Sequence, residues 1–310
     1  MTGLPFPAVP GSPVEGEVMD GFIRTRRVHF ETALAEVLPI PGGLPPALGD
    51  AARAALGVGG NPGSRWRPLL TLAAARACGG REIDALPVAL AVELTHTASL
   101  ILDDLPSMDD SDVRRDRAAT HLEVGTGGAI LLALSLLARS AELLGNLPES
   151  GGLLAAEWGR AFGLAGMCGG QAVDLTGAFA RGGSARRLHR KKTTGLSEFA
   201  LKGAALSAGA PAATEDGLAR FGRDLGWAYQ LADDADDWIE DRQFGRGPGG
   251  RAPRRQSRRL LARSLRTLHA TPGLSSDGSR LLVALAHRTT GVRDSSDDAF
   301  SEGTMWGRTA

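Results

Sequence analysis

The stretch Glu93-Leu-Thr-His-Thr-Ala-Ser-Leu-Ile-Leu-Asp-Asp-Leu-Pro-Ser-Met-Asp-Asp110 joins an apolar helical run to a dense group of carboxylates. A second group, Asp233-Asp-Ala-Asp-Asp237, follows another apolar run 130 residues later. Carboxylates grouped this densely repel one another, unless they face each other across a cavity and share hard cations. Mg²⁺ takes oxygen ligands and is usually completed by substrate phosphates. The two groups therefore predict a diphosphate held by Mg²⁺ between two helices.

The bulk composition excludes several classes of protein. Thirty-five basic and 35 acidic residues give a net charge of zero among 310 residues, so nothing in the charge balance points to a nucleic acid. No uninterrupted apolar stretch reaches the ~18 residues of a membrane-spanning helix. Two cysteines, Cys78 and Cys168, form no disulfide framework and fit a reducing compartment. We therefore expect a cytoplasmic protein with no transmembrane segment and no nucleic-acid partner.

Apolar residues recur with helical periodicity along most of the chain, and no segment shows the sustained alternation of a strand. We predict an all-α, single-domain helical bundle over residues 17–290, between a flexible tail at 1–16 and a disordered tail at 291–310. A long flexible stretch is predicted at 245–255, where Gly and Pro concentrate. The predicted helices cover 17–38, 66–78, 85–104, 119–145, 151–179, 188–208, 215–241, 256–270 and 278–290.

The two carboxylate groups differ in how they reach a common site. Asp233 and Asp237 are four residues apart and lie on one face of a helix. Pro106 interrupts the first helix, so Asp109 must return to the site by a turn. The simpler alternative is two solvated acidic helix ends, since charge runs are usually solvated faces.

Cationic side chains accompany both groups. Arg67 precedes the first group and Arg114–Arg115 follows it, and arginine is well suited to bind phosphate through two hydrogen bonds. His96 lies seven residues before Asp103, about two helical turns, and can share its face. Lys192–Thr193 offers a point charge and a hydroxyl. Surface salt bridges for the arginines and a core position for His96 are the alternatives.

Together these residues resemble the trans-isoprenyl diphosphate synthases, and most of all the bacterial geranylgeranyl diphosphate synthases. The first stretch is similar to the family's first aspartate-rich motif, and the second group to its second. The resemblance extends from about Gly59 to Asp241. It includes Arg114–Arg115, Gly170-Gln-Ala-Val-Asp-Leu175, Lys192–Thr193 and Tyr229–Gln230.

The resemblance implies a central cavity, usually a homodimer, and condensation of isopentenyl diphosphate with an allylic diphosphate. Several Mg²⁺ ions, bridged by the substrate diphosphate, would be held by Asp103, Asp104, Asp109, Asp233 and Asp237. The family's catalytic groups would be these five aspartates together with Asp234 and Lys192. The allylic side would also use Arg114, Lys192, Thr193 and Gln230. Isopentenyl diphosphate would be held by Arg67, His96 and Arg115.

The sequence departs from the family pattern at three places. Ser64 stands where the family normally has a lysine that grips isopentenyl diphosphate. Asp116 replaces the usual glycine after the arginine pair. The family usually has glycine–lysine pairs after the second aspartate group, whereas the stretch 244–251 of this chain contains no lysine. These departures concern the second substrate and leave the carboxylates intact.

Product length is expected to depend on Ala98 and Ser99, four to five residues before Asp103. Shorter-chain bacterial members carry an aromatic residue at the position of Ala98, so a small residue favours the twenty-carbon product. A tight helix–helix contact at Ala98 is the alternative. Two other functions stay open: a terpene-synthase-like enzyme that cyclises an allylic diphosphate, and a non-catalytic subunit that regulates a prenyl synthase.

Overall fold

Helices account for nearly all regular structure in the computed structural model, which describes residues 13–177, 183–243 and 251–291. Across these residues the predicted all-α bundle is confirmed. In chain order the helices are α1 (Pro13–Ala35), α2 (Pro46–Ala55), α3 (Trp66–Ala77), α4 (Glu82–Asp103), α5 (Thr120–Gly145), α6 (Gly151–Phe162), α7 (Met167–Leu175), α8 (Gly183–Ser207), α9 (Ala212–Gln243), α10 (Arg251–His269) and α11 (Ser276–Thr290). A hairpin of β1 (Val113–Arg114) and β2 (Arg117–Ala118) separates α4 from α5.

Helix α4 is central because it contributes to both hydrophobic cores. One core joins it to α3, α8, α9, α10 and α11, and the other joins it to α1, α2 and α5. A helix buried on several sides must be apolar around most of its circumference, and α4 is rich in Ala, Val and Leu. Its first turn carries Glu82 and Asp84, which suit the positive end of the helix dipole.

The structure corrects the predicted boundaries at four places. Helix α2 was missed, because its short Ala-rich sequence lies between two Gly- and Pro-rich connectors. The single helix predicted over 151–179 is divided into α6 and α7. A side chain at Gly166 would stand 1.9 Å from the carbonyl oxygen of Ala161, so the chain turns tightly there.

The other two corrections concern a helix start and the hairpin. Helix α10 begins at Arg251, inside the stretch that we predicted to be flexible. The prediction of no strands was wrong for the two-residue pairs of the hairpin, Val113 with Ala118 and Arg114 with Arg117. A pairing this short is set by its turn and leaves no alternating pattern in the sequence.

Helices α4 and α5 are long and apolar enough to cross a membrane by length and composition. In the bundle, 67% of the most apolar 18-residue segment of α4 is buried, and 39% of that of α5. Cys78 and Cys168 are both unpaired thiols. Residues 13–16, which we predicted to belong to the flexible tail, form the start of α1. The rest of the tail predictions falls on residues 1–12 and 292–310, outside the described residues, so the domain limits stay predictions.

Candidate functional site

The first carboxylate group sits where α4 ends. Asp103 is its last residue, and the chain turns so that the amide of Asp109 donates to the carbonyl oxygen of Asp103 at 2.9 Å. This contact brings Asp109, whose side chain is exposed, back to the end of the helix. Burial raises the pKa of Asp103 to about 6. The positive charge of Lys192 only partly opposes this rise, and the negative charge of Asp109 adds to it.

Asp104 is engaged differently from its neighbour. The Nε of Arg114 donates to its two carboxylate oxygens at 3.0 and 3.2 Å, and the Arg114 Nη2 donates to Oδ1 at 2.5 Å. The Asp104 side chain is only 3% exposed. Both residues were predicted to serve the allylic side. The structure joins them to each other, so Asp104 stays a predicted ligand whose oxygens already accept hydrogen bonds.

Helix α8 brings Lys192 towards Asp103. Its Nζ lies 2.8 Å from Oδ2 of Asp174 on α7. Burial opposes the charge, but this hydrogen bond and the negative charge of Asp103 together raise the pKa of Lys192. The two helices approach this closely because a side chain at Gly170 would stand 2.4 Å from the amide nitrogen of Lys192.

The next residue of α8 faces α9. The hydroxyl of Thr193 lies 3.4 Å from Oε1 of Gln230. A side chain at Gly226 would stand 2.8 Å from the Ser197 hydroxyl, so glycine is needed for the close packing of α8 on α9. Helix α8 therefore connects the first carboxylate group, through Lys192, with the helix that carries the second.

The second carboxylate group lies within α9, and the side chain of Asp233 is exposed. The negative charge of Asp233 acts on Arg67, which places it near the arginine predicted to bind the other substrate. The side chains of Asp234 and Asp237 lie outside the described part of the structure. Among the side chains that are described, no three of His, Cys, Asp or Glu lie close enough together to hold a metal ion.

Arg67 is held among aromatic rings. Its guanidinium carbon lies 4.4 Å from the centre of the Trp66 ring and 5.9 Å from that of Tyr229. Its buried Nε has no hydrogen-bond partner. Burial lowers the pKa of Arg67, and the nearby positive charge of Arg115 lowers it further. Tyr229, Glu93 and Asp233 act in the opposite direction and raise it.

His96 and Arg115 complete a group that we call the cationic pocket: Arg67, His96 and Arg115. Burial, followed by the charges of Arg67 and Arg115, lowers the pKa of His96 well below its usual value, so the imidazole is neutral at pH 7. Burial also lowers the pKa of Arg115. Within the described residues, neither arginine of the pocket forms an ion pair. Half-buried positive charges outside any ion pair are stabilised by a bound anion.

The turn of the hairpin presents Arg115 to this pocket. Arg115 and Asp116 have φ values of 53° and 62°. Both central residues of this turn thus adopt the left-handed conformation that glycine tolerates best. The glycine that Asp116 replaces in the family would relieve part of this strain.

Sequence reasoning missed a buried ion network beside the pocket. Arg65 is 3% exposed. It donates to Glu31 at 2.9 Å, to Glu93 at 2.5 Å and to the carbonyl oxygen of Leu56 at 2.5 Å. Burial opposes its charge, but Glu93 and Glu31 raise the pKa of Arg65. A lone glutamate at position 93, inside an apolar helix, was the available signal.

The two residues predicted to set product length lie on different sides of α4. Ala98 is fully buried in the core with Phe30 and Leu34 of α1. Five residues turn a helix by about 140° beyond a full turn, so Ala98 points away from Asp103. Ser99 is half-buried on the Asp103 side, and its hydroxyl donates to the carbonyl oxygen of His96 at 2.8 Å.

Comparison with known proteins gives a consistent family. Residues 51–249 match the polyprenyl synthetase family model. The chain is 36% identical over 224 residues to the farnesyl diphosphate synthase of Geobacillus stearothermophilus, covering 70% of this chain and 74% of that protein. It is 37% identical over 221 residues to the geranylgeranyl diphosphate synthase of Pantoea ananas, covering 68% and 72%.

The fold agrees with this relationship. The crystal structure of an FPP/GFPP synthase from Zymomonas mobilis superimposes with a TM-score of 0.73 at 28% identity, covering 89% of this chain and 99% of that one. The matched residues 51–249 include both carboxylate groups and the cationic pocket. The chain therefore belongs to the polyprenyl synthetase family.

Proposed function

We propose that this protein is a Mg²⁺-dependent trans-prenyltransferase that condenses isopentenyl diphosphate with an allylic diphosphate, and that its product is geranylgeranyl diphosphate. One observation carries the proposal. Helix α4 ends in a carboxylate whose pKa is raised to about 6, at Asp103, and carries His96 within the cationic pocket two turns earlier. On this proposal, one helix would line both a site for a metal-bound diphosphate and a site for a metal-free one.

The donor chemistry of the carboxylate side fits Mg²⁺. Asp103, Asp109 and Asp233 offer carboxylate oxygens, the ligands that Mg²⁺ prefers, and substrate phosphates would complete its coordination. The ions would bind together with the diphosphate, since its oxygens supply the remaining ligands. We propose these three residues and Asp237 as the main ligands, while Asp104 holds Arg114. When bound, Mg²⁺ would neutralise the charge that develops on the leaving diphosphate.

The protein's own residues support ionisation of the allylic substrate. Lys192, oriented by Asp174, can donate to the leaving diphosphate, and Arg114 adds positive charge beside it. Such donors, fixed in place before reaction, lower the barrier because they need no reorganisation. Departure of the diphosphate leaves an allylic cation. The oxygen atoms of Thr193 and Gln230, 3.4 Å apart, can stabilise that cation by their dipoles.

The cationic pocket would orient the second substrate. Arg67 and Arg115 would bind the diphosphate of isopentenyl diphosphate, and the neutral imidazole of His96 can donate one hydrogen bond to it. The double bond of this substrate then attacks the allylic cation, forming the new carbon–carbon bond. A proton is lost to the departed diphosphate, so no side chain need serve as the base.

The proposed twenty-carbon product rests on the small residues of α4. The relatives above include both a farnesyl and a geranylgeranyl diphosphate synthase. Ala98 is a small residue in the core that α4 forms with α1, α2 and α5, and Ser99 faces the Asp103 side. An Ala98→Tyr protein should make mainly products of fifteen carbons or fewer, at a folding cost of about 1–3 kcal/mol from overpacking. Ile83→Tyr, at the exposed start of the same helix, is the control and should leave product length unchanged.

We also propose a homodimer formed through α5. Its side chains Ile130, Leu131 and Leu134 are 38%, 61% and 54% exposed, an apolar face that a partner subunit would cover. Light scattering should give twice the mass of the chain, and Leu131→Glu should halve it.

The decisive experiment incubates the purified protein with Mg²⁺, geranyl diphosphate and isopentenyl diphosphate. An elongated diphosphate is the expected product, and chelation of Mg²⁺ should stop its formation. An olefin or alcohol formed from the allylic substrate alone would instead identify a terpene-synthase-like enzyme. No turnover, either alone or with a second prenyl synthase subunit from the same cell, would overturn the proposal.

A further inference from the structure

We infer that the exposed side of α10 is a docking surface for an anionic membrane, which it binds by charge alone. The surface consists of four arginines that we call the basic face: Arg255, Arg258, Arg259 and Arg266. The choice of a membrane over other anionic partners rests on the proposed function, because a twenty-carbon diphosphate carries an apolar chain that partitions into a bilayer. Helix α10 lies outside the 51–249 match to the family model.

Arginine is more concentrated in α10 than in the chain as a whole. Seven of the 19 residues of α10 are arginine, against 32 of 310 in the whole sequence, and none of the 19 is acidic. Because the whole chain has a net charge of zero, this concentration is a local segregation of charge. A basic amphipathic helix is a pattern typical of proteins that bind a membrane surface.

Helix geometry places the basic face on the side of α10 that points away from the bundle. At about 100° per residue, its four arginines fall within an arc of about 100° and extend over about 16 Å along the axis. All four side chains are exposed. On the opposite side of the helix, Ser257, Ser264 and Leu268 are buried. A row of cations on one straight helix can contact a planar surface at several points at once.

The charges of the basic face are not neutralised within the part of the chain that the structure describes. None of its four arginines forms an ion pair or a hydrogen bond there. Arg263, at the edge of the same side, is different: its Nε and Nη2 donate to the two carboxylate oxygens of Asp224 at 2.7 and 2.5 Å. The four leucines of α10 are buried or half-buried, so the helix offers charge and no apolar side chain for insertion.

The basic face lies beside the helix that carries the second carboxylate group. The hydroxyl of Ser257 donates at 2.7 Å to the carbonyl oxygen of Ala228 on α9, five residues before Asp233. Arg255 is therefore at the end of α10 nearest to the carboxylates, and Arg266 is at the far end. A bilayer on this face would lie close to the proposed site of chain elongation, where the apolar product is released.

An anionic bilayer is complementary to this face in charge and in chemistry. Arginine binds the phosphate of a lipid headgroup through two parallel hydrogen bonds. Each arginine near an anionic bilayer raises the affinity about fivefold, so a few of them acting together give reversible binding. Salt shortens the range of the attraction, so binding by charge alone must be salt-sensitive.

Sedimentation of the full chain with lipid vesicles tests the inference without any substrate. The wild type should bind vesicles of phosphatidylcholine with about a quarter phosphatidylglycerol at about 0.1 M NaCl, and about 0.5 M NaCl should release it. Vesicles of phosphatidylcholine alone should not bind it. The Arg259→Gln/Arg266→Gln double variant should bind the anionic vesicles at least about tenfold more weakly.

Arg24→Gln/Arg53→Gln is the matched control, because it removes two exposed arginines from α1 and α2. It should bind the anionic vesicles within about twofold of wild type. Both double variants should keep the wild-type Tm, and both should keep the wild-type kcat/KM in the absence of vesicles.

Four results would overturn the inference. The first is a wild-type protein that does not bind anionic vesicles. The second is an equal loss in the two double variants, which would mean that net charge matters and the position of the arginines does not. The third is tighter binding to a DNA or RNA duplex than to the vesicles, which would assign the face to a nucleic acid. The fourth is a lower kcat/KM of the α10 variant without vesicles, which would mean that these arginines act on the substrates.

The vesicle assay also separates this inference from the proposed function. Salt-sensitive binding that depends on the basic face supports the docking surface even in a protein that does not elongate prenyl diphosphates. A protein that elongates but does not bind anionic vesicles refutes the docking surface and leaves the proposed reaction intact.

Discussion

Arg65 and Arg67 are two residues apart and have opposite electrostatic surroundings. Arg65 is held by Glu31 and Glu93, which raise its pKa, whereas burial lowers the pKa of Arg67 and leaves its Nε without a partner. A buried charge with its counter-ions inside the protein stabilises the fold around it. A buried charge without them costs free energy until a ligand arrives. The first arginine therefore stabilises the fold, and the second stays a predicted ligand of isopentenyl diphosphate.

The aspartates repeat the contrast. Asp104 is buried in an ion pair with Arg114, while its neighbour Asp103 has a pKa raised by burial. In each pair, one residue is bound in an ion pair, whereas burial disfavours the charge of its neighbour. Mutating the two members of each pair should consequently change stability and activity in different proportions.

Arg65→Ala should cause the largest loss of stability. It leaves Glu93, whose side chain is 4% exposed, without its partner, and breaking a buried ion pair in this way costs about 3–5 kcal/mol. Urea denaturation gives the free energy of unfolding. Arg76→Ala, which removes an exposed arginine from α3, the helix that follows Arg65, should cost much less. Equal losses in the two variants would mean that the buried network does not stabilise the fold.

Arg67→Ala should lower activity much more than stability. Removal of a charge-assisted hydrogen bond to a diphosphate costs about 1.5–3 kcal/mol, so kcat/KM for isopentenyl diphosphate should fall about tenfold to a hundredfold. The free energy of unfolding should change by less than about 1 kcal/mol, because the lost ring contacts are offset by relief of a buried charge. Steady-state kinetics and urea denaturation check the two parts. A loss of stability as large as that of Arg65→Ala would remove the distinction between them.

Asp103→Asn should stabilise the metal-free protein at neutral pH. The pKa of Asp103 is raised to about 6 in the folded protein, so folding favours the protonated carboxyl. The resulting stabilisation is fully present below the pKa of the unfolded chain and is lost as the pH rises through about 6. Above that pH the variant should be more stable by about 1–2 kcal/mol, after allowance for solvent screening. Thermal melts with EDTA at pH 5 and pH 7.5 measure the difference, which should be smaller at pH 5.

The same substitution should abolish turnover, because Asp103 is a proposed Mg²⁺ ligand. Its neighbour provides the contrast: Asp104→Asn weakens the pair with Arg114 and should destabilise the protein by about 1–3 kcal/mol. If Asp103→Asn retains activity within a few-fold of wild type, the assignment of Asp103 to the metal site is wrong.

Asp116→Gly should have the smallest effect. The residue has a φ of 62°, which glycine adopts without strain, so the variant should gain about 0.5–1 kcal/mol in stability. Activity should change by less than about twofold, since Arg115 keeps its place in the turn. Urea denaturation checks this against Asp112→Gly, which has no positive φ to relieve and should be destabilised.

The sequence alone predicted the family, the all-α fold and the residue types of the site. These were readable because helical periodicity is local and because both aspartate groups interrupt apolar helices at recognisable points. The family and the fold class are confirmed. The roles of individual residues at the metal and substrate sites stay predictions. Local patterns gave no signal for α2, for the division of the 151–179 helix or for the hairpin.

Only the tertiary structure decided which charges neutralise one another. In the sequence, Arg65 and Arg67 are similar arginines near the same apolar helix, and Asp103 and Asp104 are adjacent carboxylates. Their partners lie far along the chain: Glu31 comes from α1, Glu93 from α4 and Arg114 from the hairpin. Electrostatic energy depends on distance and burial in space, which residue spacing along a chain does not determine.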